Sequence, residues 1–254
     1  MEYENEDYKI VCFPVSKKQG DETFEILIKS TNERKVIGIW DYESLYKEPF
    51  LFEIIYQEIC KSNSIYEVWD TFCSEKLLEN YKILDVGAGS GLSGKYIREK
   101  SNPETLIALD ILPSAKAASL RDYGKIYDDY LICDLTNLTV EQQSFLKSKN
   151  FNCVTIVSSS GGSDDDQDSH NVEIKEFKSI LDIVSTGGYI VFNIREHELK
   201  GQSLIRKYLE SYCKKIIEKT YVHRLLFNGN NSNNKVLVYK KTDDPKRRKV
   251  YGKE

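Results

Sequence analysis

From residue 82 onward, short apolar runs alternate with longer amphipathic stretches. Strands are predicted at 82–86, 105–109, 130–133, 151–157 and 189–194, each bounded by turn residues. Helices are predicted between and after them, at about 92–100, 113–121, 140–149, 172–184 and 201–213, the fourth closed by Gly187-Gly188. Such alternation implies βαβ units on a parallel sheet. The end breaks the pattern. Two strand-like runs, 219–227 and 235–239, flank the polar, glycine-containing stretch 228–234, which predicts an antiparallel hairpin. The expected fold class is α/β, a doubly wound, mostly parallel seven-stranded sheet ending in that hairpin.

The first 80 residues read differently. Short strands are predicted at 9–15, 23–29 and 35–40, the last two joined by a turn at Thr31-Asn32-Glu33-Arg34. From 42 to 79, Leu45, Phe52, Ile55 and Ile59, then Ile65, Val68, Trp69, Phe72 and Leu77, recur at helical spacing and predict two helices, with Pro49 near a first turn. The expected division is a β-rich and helical extension over 1–80, a candidate lid, then the α/β domain over 81–241 and a basic tail over 242–254. No solenoid-type repeat is present.

Composition narrows the function classes. The 254 residues are 40% hydrophobic and 30% charged with a net charge of −4, a balance that gives no general surface for polyanions. No basic stripe with interleaved aromatics appears outside the tail, which argues against a nucleic-acid partner. No apolar run approaches the roughly 20 residues of a membrane helix. Met1 to Tyr8 is acidic and aromatic, unlike a signal peptide, so a cytoplasmic protein is expected. Cys12, Cys60, Cys73, Cys133, Cys153 and Cys213 are scattered without a C-x-x-C, which predicts buried thiols rather than disulfides or a metal site. The cluster Pro245-Lys246-Arg247-Arg248-Lys249-Val250 reads as a solvated tail, with nuclear import or a phosphate contact as the alternative.

The chemistry concentrates in Ile83-Leu84-Asp85-Val86-Gly87-Ala88-Gly89-Ser90-Gly91-Leu92, an apolar strand running into a glycine turn and a helix. Glycines there let a ligand approach the backbone, at the strand end where open α/β sheets bind ligands. Gly89-Ser90-Gly91-Leu92-Ser93-Gly94 satisfies the dinucleotide pattern literally. That pattern should begin at the strand end, however, and starting it at Gly87 puts Leu92 where the third glycine belongs. Asp85 disfavours a pyrophosphate and suits a cation such as a sulfonium carrying an ammonium group. Asp110, about 20 residues past the turn, can accept from both ribose hydroxyls. Asp134, ending the next strand, can accept from an adenine amino group. A lone strand-end aspartate is usually a turn former or helix cap, but three in register favour a nucleoside-bearing ligand.

Asp85-x-Gly87-x-Gly89-x-Gly91, then Asp110, then Cys133-Asp134-Leu135 resembles the cofactor frame of class I S-adenosylmethionine-dependent methyltransferases, over residues 82 to about 240. More narrowly, Leu84 to Gly89 with Ala117 to Gly124 and Tyr127 to Tyr130 is similar to uncharacterised bacterial methyltransferase-domain proteins and to the methyltransferase-like protein of the Williams–Beuren region. The resemblance implies a Rossmann-like fold and S-adenosylmethionine as cofactor. It implies that Asp85, Gly87, Gly89 and Gly91 lie under the methionine part, that Asp110 holds the ribose, and that Asp134 meets the adenine, with Ile111 and Leu135 beside them.

Methyl transfer from a sulfonium is a direct displacement, so the protein mainly orients donor and acceptor, and a base is needed only if the acceptor must lose a proton. Residues 158–170, after the fourth strand, hold no Asn-Pro-Pro-Tyr-type amine motif and no catalytic cysteine pattern. They hold Asp164, Asp165, Asp166, Asp168 and His170, where related sequences carry an apolar glycine-containing loop. A solvated acidic loop with a helix cap is the preferred reading, with His170 as a general base the alternative. His197 is a second rim candidate, and His223 reads as structural. Tyr42, Tyr46, Pro49 and Phe50 are expected either to cap the cofactor or to pack as helix core. The expected activity is methyl transfer to a small molecule or a protein side chain, with no assigned catalytic residue. The rivals are an NAD-dependent oxidoreductase using Gly89, Gly91 and Gly94, and a non-catalytic S-adenosylmethionine-binding domain.

Overall fold

The computed structural model describes residues 2–14, 22–38, 41–60, 62–77, 79–157, 167–195, 199–224 and 231–243. The large sheet is built from β5 (Lys82–Val86), β6 (Thr105–Asp110), β7 (Asp129–Ile132), β8 (Cys153–Ile156), β9 (Tyr189–Arg195), β10 (Cys213–Arg224) and β11 (Asn231–Lys241). Their spatial order is β10-β11-β9-β8-β5-β6-β7. The five strands from β5 to β9 run parallel, and β11 enters antiparallel between β9 and β10. The sequence expectation of seven strands with an antiparallel end holds.

Helices cover both faces, which is why the strands are apolar on both sides. Leu84, Ile107, Val154, Ile190 and Leu237 face Phe177, Ile180 and Leu181 of α7 (Gln167–Ile183) and Ile205 and Leu209 of α8 (Leu199–Tyr212). Ile83, Ala108, Cys153, Val191 and Val238 face the other way. They meet Val68, Trp69 and Phe72 of α3 (Ser64–Ser74), Leu92 and Ile97 of α4 (Leu92–Ser101), and Ala115 and Ala118 of α5 (Pro113–Tyr123). The period of two along each strand thus sorts neighbouring residues into two cores. α6 (Val140–Ser148) adds Leu146 to the first, and its start is fixed by a Thr139–Gln142 capping box.

The N-terminal residues form a separate antiparallel sheet of β1 (Glu2–Glu4), β2 (Tyr8–Pro14), β3 (Glu22–Ile28) and β4 (Glu33–Gly38). Its inner row of Ile10, Phe24, Ile26 and Ile37 packs on Leu45, Leu51, Ile55 and Ile59. Between the two sheets run α1 (Tyr42–Leu45) and α2 (Leu51–Glu53), the latter continuing as a π-helical turn, Ile54–Ile59. The first of the two predicted helices is therefore broken. Pro49 disfavours helical geometry at Glu48, and the chain restarts only at Leu51. α3 precedes residue 81, yet its apolar face belongs to the core of the large sheet.

Four further features differ from the pattern reading. β1 is added, three residues whose acidic ends gave no apolar alternation. The β3–β4 turn occupies 29–32 rather than 31–34, since Ile28 pairs with Glu33. β10 begins at Cys213 rather than 219, and β11 begins at Asn231, inside the predicted loop. β10 is an edge strand carrying Lys214, Lys215, Glu218 and Lys219, with a bulge between Lys215 and Ile217. Charges that protect an edge and a bulge that interrupts the period of two both erase the sequence signal. All six cysteines are free thiols, four buried and Cys60 and Cys73 half-buried.

Candidate functional site

β5 leads into the turn Gly87-Ala88-Gly89-Ser90-Gly91, which α4 follows. The N–H groups of Gly87 and Ala88 both donate to the Leu109 carbonyl of β6, at 2.8 and 3.2 Å, and hook the turn onto the neighbouring strand. Gly89 has φ +56°, and a Cβ there would lie 2.6 Å from the Tyr46 hydroxyl, so only glycine fits. Asp110, the last residue of β6, is 8% exposed. Its Oδ2 accepts from the Gly89 N–H at 2.8 Å and its Oδ1 from the Leu112 N–H at 2.9 Å. The Tyr130 hydroxyl donates to the Gly89 carbonyl at 2.7 Å. Gly89 is thus held through its N–H, its carbonyl and its Cα face by three different elements.

Asp85, on β5, sits level with Ala108, two residues deeper than Asp110. It is 1% exposed, and it accepts from the Ser93 hydroxyl at 3.3 Å and from the Tyr127 hydroxyl at 2.7 Å. Burial pushes its carboxyl up to about 7, the two hydroxyls pull it back, and the charge of Asp110 adds to the rise. Burial, then the charge of Asp85, raises the Tyr127 phenol well above its ordinary value. Gly94 makes this pairing feasible, since a Cβ at that position would come within 2.3 Å of the Tyr127 ring. The third glycine of the dinucleotide-like pattern is therefore in use against a tyrosine. Gly91, which caps α4, backs onto Ser119.

The other anticipated positions divide. Ile111 is 62% exposed beside Asp110 and offers an apolar face at the strand end. Leu135 is buried in the core, on the side of α7. Asp134 caps a short 3-10 turn, its Oδ1 accepting from the N–H and the hydroxyl of Thr136, both at 2.8 Å. Tyr46 covers Gly89 while Tyr42 stacks on it at 5.9 Å. The Pro49 carbonyl accepts from the Tyr8 hydroxyl, and Phe50 meets Tyr123 edge-on. Residues 158–166, His197 and the tail 244–254 lie outside the described residues, as do the side chains of His170 and His223.

The sequence reading missed the residues that return to the turn from a distance. Ser93, Tyr127 and Tyr130 stood only inside quoted motifs with no role of their own, because their roles depend on α4 and the approach to β7 coming back to the turn. A second polar group was also unforeseen. The Tyr221 hydroxyl, buried near the carboxyl end of β9, accepts from Asn193 at 3.3 Å and Asn234 at 3.4 Å and donates to Ser64 at 3.1 Å.

Solved structures share this fold. An S-adenosylmethionine-dependent methyltransferase from Methanosarcina mazei superposes with a TM-score of 0.50 at 14% identity, over 67% of this chain and 97% of that one. The fold is that of class I methyltransferases. A Pyrococcus horikoshii OT3 protein matches with a TM-score of 0.51 at 14% identity, over 69% of this chain and 89% of its own. A Thermoplasma acidophilum protein matches at 0.51 and 10% identity, over 71% and 86%. No protein-family model and no curated protein sequence matches the chain. Gly87 to Gly91 follow the carboxyl end of β5, and Asp110 ends the neighbouring β6.

Proposed function

We propose that this protein transfers a methyl group from S-adenosylmethionine to a small molecule or a protein side chain. The observation that carries the reading is Asp110 bound to the Gly89 N–H at 2.8 Å, which joins the glycine turn and a strand-end carboxylate into one ligand-facing unit. The residues present fit the cofactor. Asp110 keeps acceptor capacity for ribose hydroxyls beyond its two backbone donors. Ile111 offers a flat apolar surface for a base, and Ser90 carries a buried hydroxyl without a partner among the described residues. Asp134 would meet the adenine amino group, and Gly87, Gly89 and Gly91 would admit the methionine part.

S-adenosylmethionine supplies an already activated methyl group. The protein's part is to orient and desolvate. Asp110 fixes the nucleoside end, and Tyr46 excludes water from the glycine turn. Asp85, buried and accepting from the Ser93 and Tyr127 hydroxyls, holds the start of the glycine turn in shape. It acts as a positioning residue with no direct ligand contact assigned.

Calorimetric titration with S-adenosylmethionine, S-adenosylhomocysteine and NAD, on the wild type and on Asp110→Ala, tests the proposal. Binding of the sulfonium cofactor or its product, weakened by the substitution, is expected. Binding of NAD alone would overturn it.

A further inference from the structure

α1 is a single turn that ends at Leu45, and the carbonyls of the three residues after it cannot be taken up by a continuing helix. They are taken from across the chain by Arg121, near the end of α5. Its Nη1 donates to the Tyr46 and Lys47 carbonyls, both at 3.0 Å, and its Nη2 to the Glu48 carbonyl at 2.9 Å. The remaining donors form a fork on Asp122, Nε to Oδ1 at 2.6 Å and Nη2 to Oδ2 at 2.9 Å. All five guanidinium N–H groups are engaged. Asp122 completes the arrangement by accepting from the Phe50 N–H at 3.1 Å. Phe50 sits at φ +54°, a left-handed conformation that a bulky residue adopts only when its surroundings impose it. The strap 46–50 is therefore bound to α5 by one adjacent pair of side chains rather than by apolar packing alone.

The strap carries Tyr46. Its hydroxyl lies against the Cα of Gly89, and the charge of Asp110 is close enough to raise its phenol further after burial. A ribose held by Asp110 would lie in the same space. We propose that Arg121 and Asp122 are positioning residues that latch a gate, holding Tyr46 over the glycine turn and controlling passage of a nucleoside ligand to Asp110. The ligand in this inference rests on the methyltransferase reading, whereas the latch itself does not.

Two variants separate the parts. Arg121→Ala removes the latch and keeps Tyr46, whereas Tyr46→Ala keeps the latch and removes the gate. Without ligand, amide hydrogen exchange over residues 46–50 should rise about tenfold or more in Arg121→Ala, a shift that ~1.4 kcal/mol produces, and stay near wild type in Tyr46→Ala. In stopped-flow mixing with S-adenosylhomocysteine, both variants should speed association and dissociation by about tenfold, with a smaller change in affinity. Arg121→Lys, which keeps charge but loses the fork, should fall between Arg121→Ala and wild type. Unchanged exchange in Arg121→Ala overturns the latch, and unchanged association rates in both variants overturn the gate. A wild type that binds no S-adenosylhomocysteine, with exchange raised as expected, overturns the methyltransferase reading and leaves the latch standing.

Discussion

Asp85 and Asp110 belong to adjacent parallel strands, and each is the acid nearest its strand's end. Asp85 is sealed beneath α4 with hydroxyl partners from Ser93 and Tyr127. Asp110 lies at the last position of its strand and holds backbone N–H groups of two turns. A two-residue difference in depth, since Asp85 pairs with Ala108, separates an acid held by side-chain hydroxyls from one held by backbone N–H groups. Sequence motifs place both acids in one frame, whereas burial and partner type assign them different work.

The largest expected effect that sharpens the contrast is on stability against pH. Folded Asp85 keeps its proton up to about pH 7, against an ordinary value of 3.8. Between those values the unfolded chain binds fewer protons, so stability falls as pH rises. At ~1.4 kcal/mol per pKa unit, the loss between pH 4 and pH 8 approaches ~4 kcal/mol. Asp85→Asn should remove that slope in urea unfolding, and equal slopes in both proteins would break the distinction drawn here.

Next in size, Asp110→Ala should weaken S-adenosylmethionine by 10- to 100-fold, about the ~1.5–3 kcal/mol of a charge-assisted hydrogen bond, as read by calorimetry. Equal affinity would mean that Asp110 only ties Gly89 in place. Gly94→Ala should cost ~1–3 kcal/mol by forcing the Tyr127 ring aside, measured as a fall in the denaturant midpoint. A stable variant would show that the ring gives way easily. The smallest effect is expected from Tyr127→Phe, a loss of about 1 kcal/mol above pH 7, where the hydroxyl supports ionised Asp85. Because that hydrogen bond lowers the carboxyl's pKa, the same substitution should move the pH midpoint of the stability slope upward.

Much of the fold was legible because it is written in periodicity. Ile83 and Leu84 alternate faces, and so do Val236 and Leu237, which sets the two cores. Elements whose exposure masks their pattern were misplaced. β10 hides behind lysines at a sheet edge, and β11 starts among asparagines that pair with Val222 and Tyr221. Within the site, the glycine turn and Asp110 were readable from spacing. The pairing of Asp85 with Tyr127, 42 residues away, was not, and neither was the clasp of Arg121 on Tyr46, 75 residues away.

The sequence by itself determined the order of strands and helices, the antiparallel end and the candidate acids, because local patterning and turn chemistry act between near neighbours. Only the tertiary structure decided which acid is buried, which tyrosine covers Gly89 and why Gly94 must lack a side chain. Those outcomes depend on desolvation and on contacts between distant segments, which exist only once the sheet and its helices have closed around them.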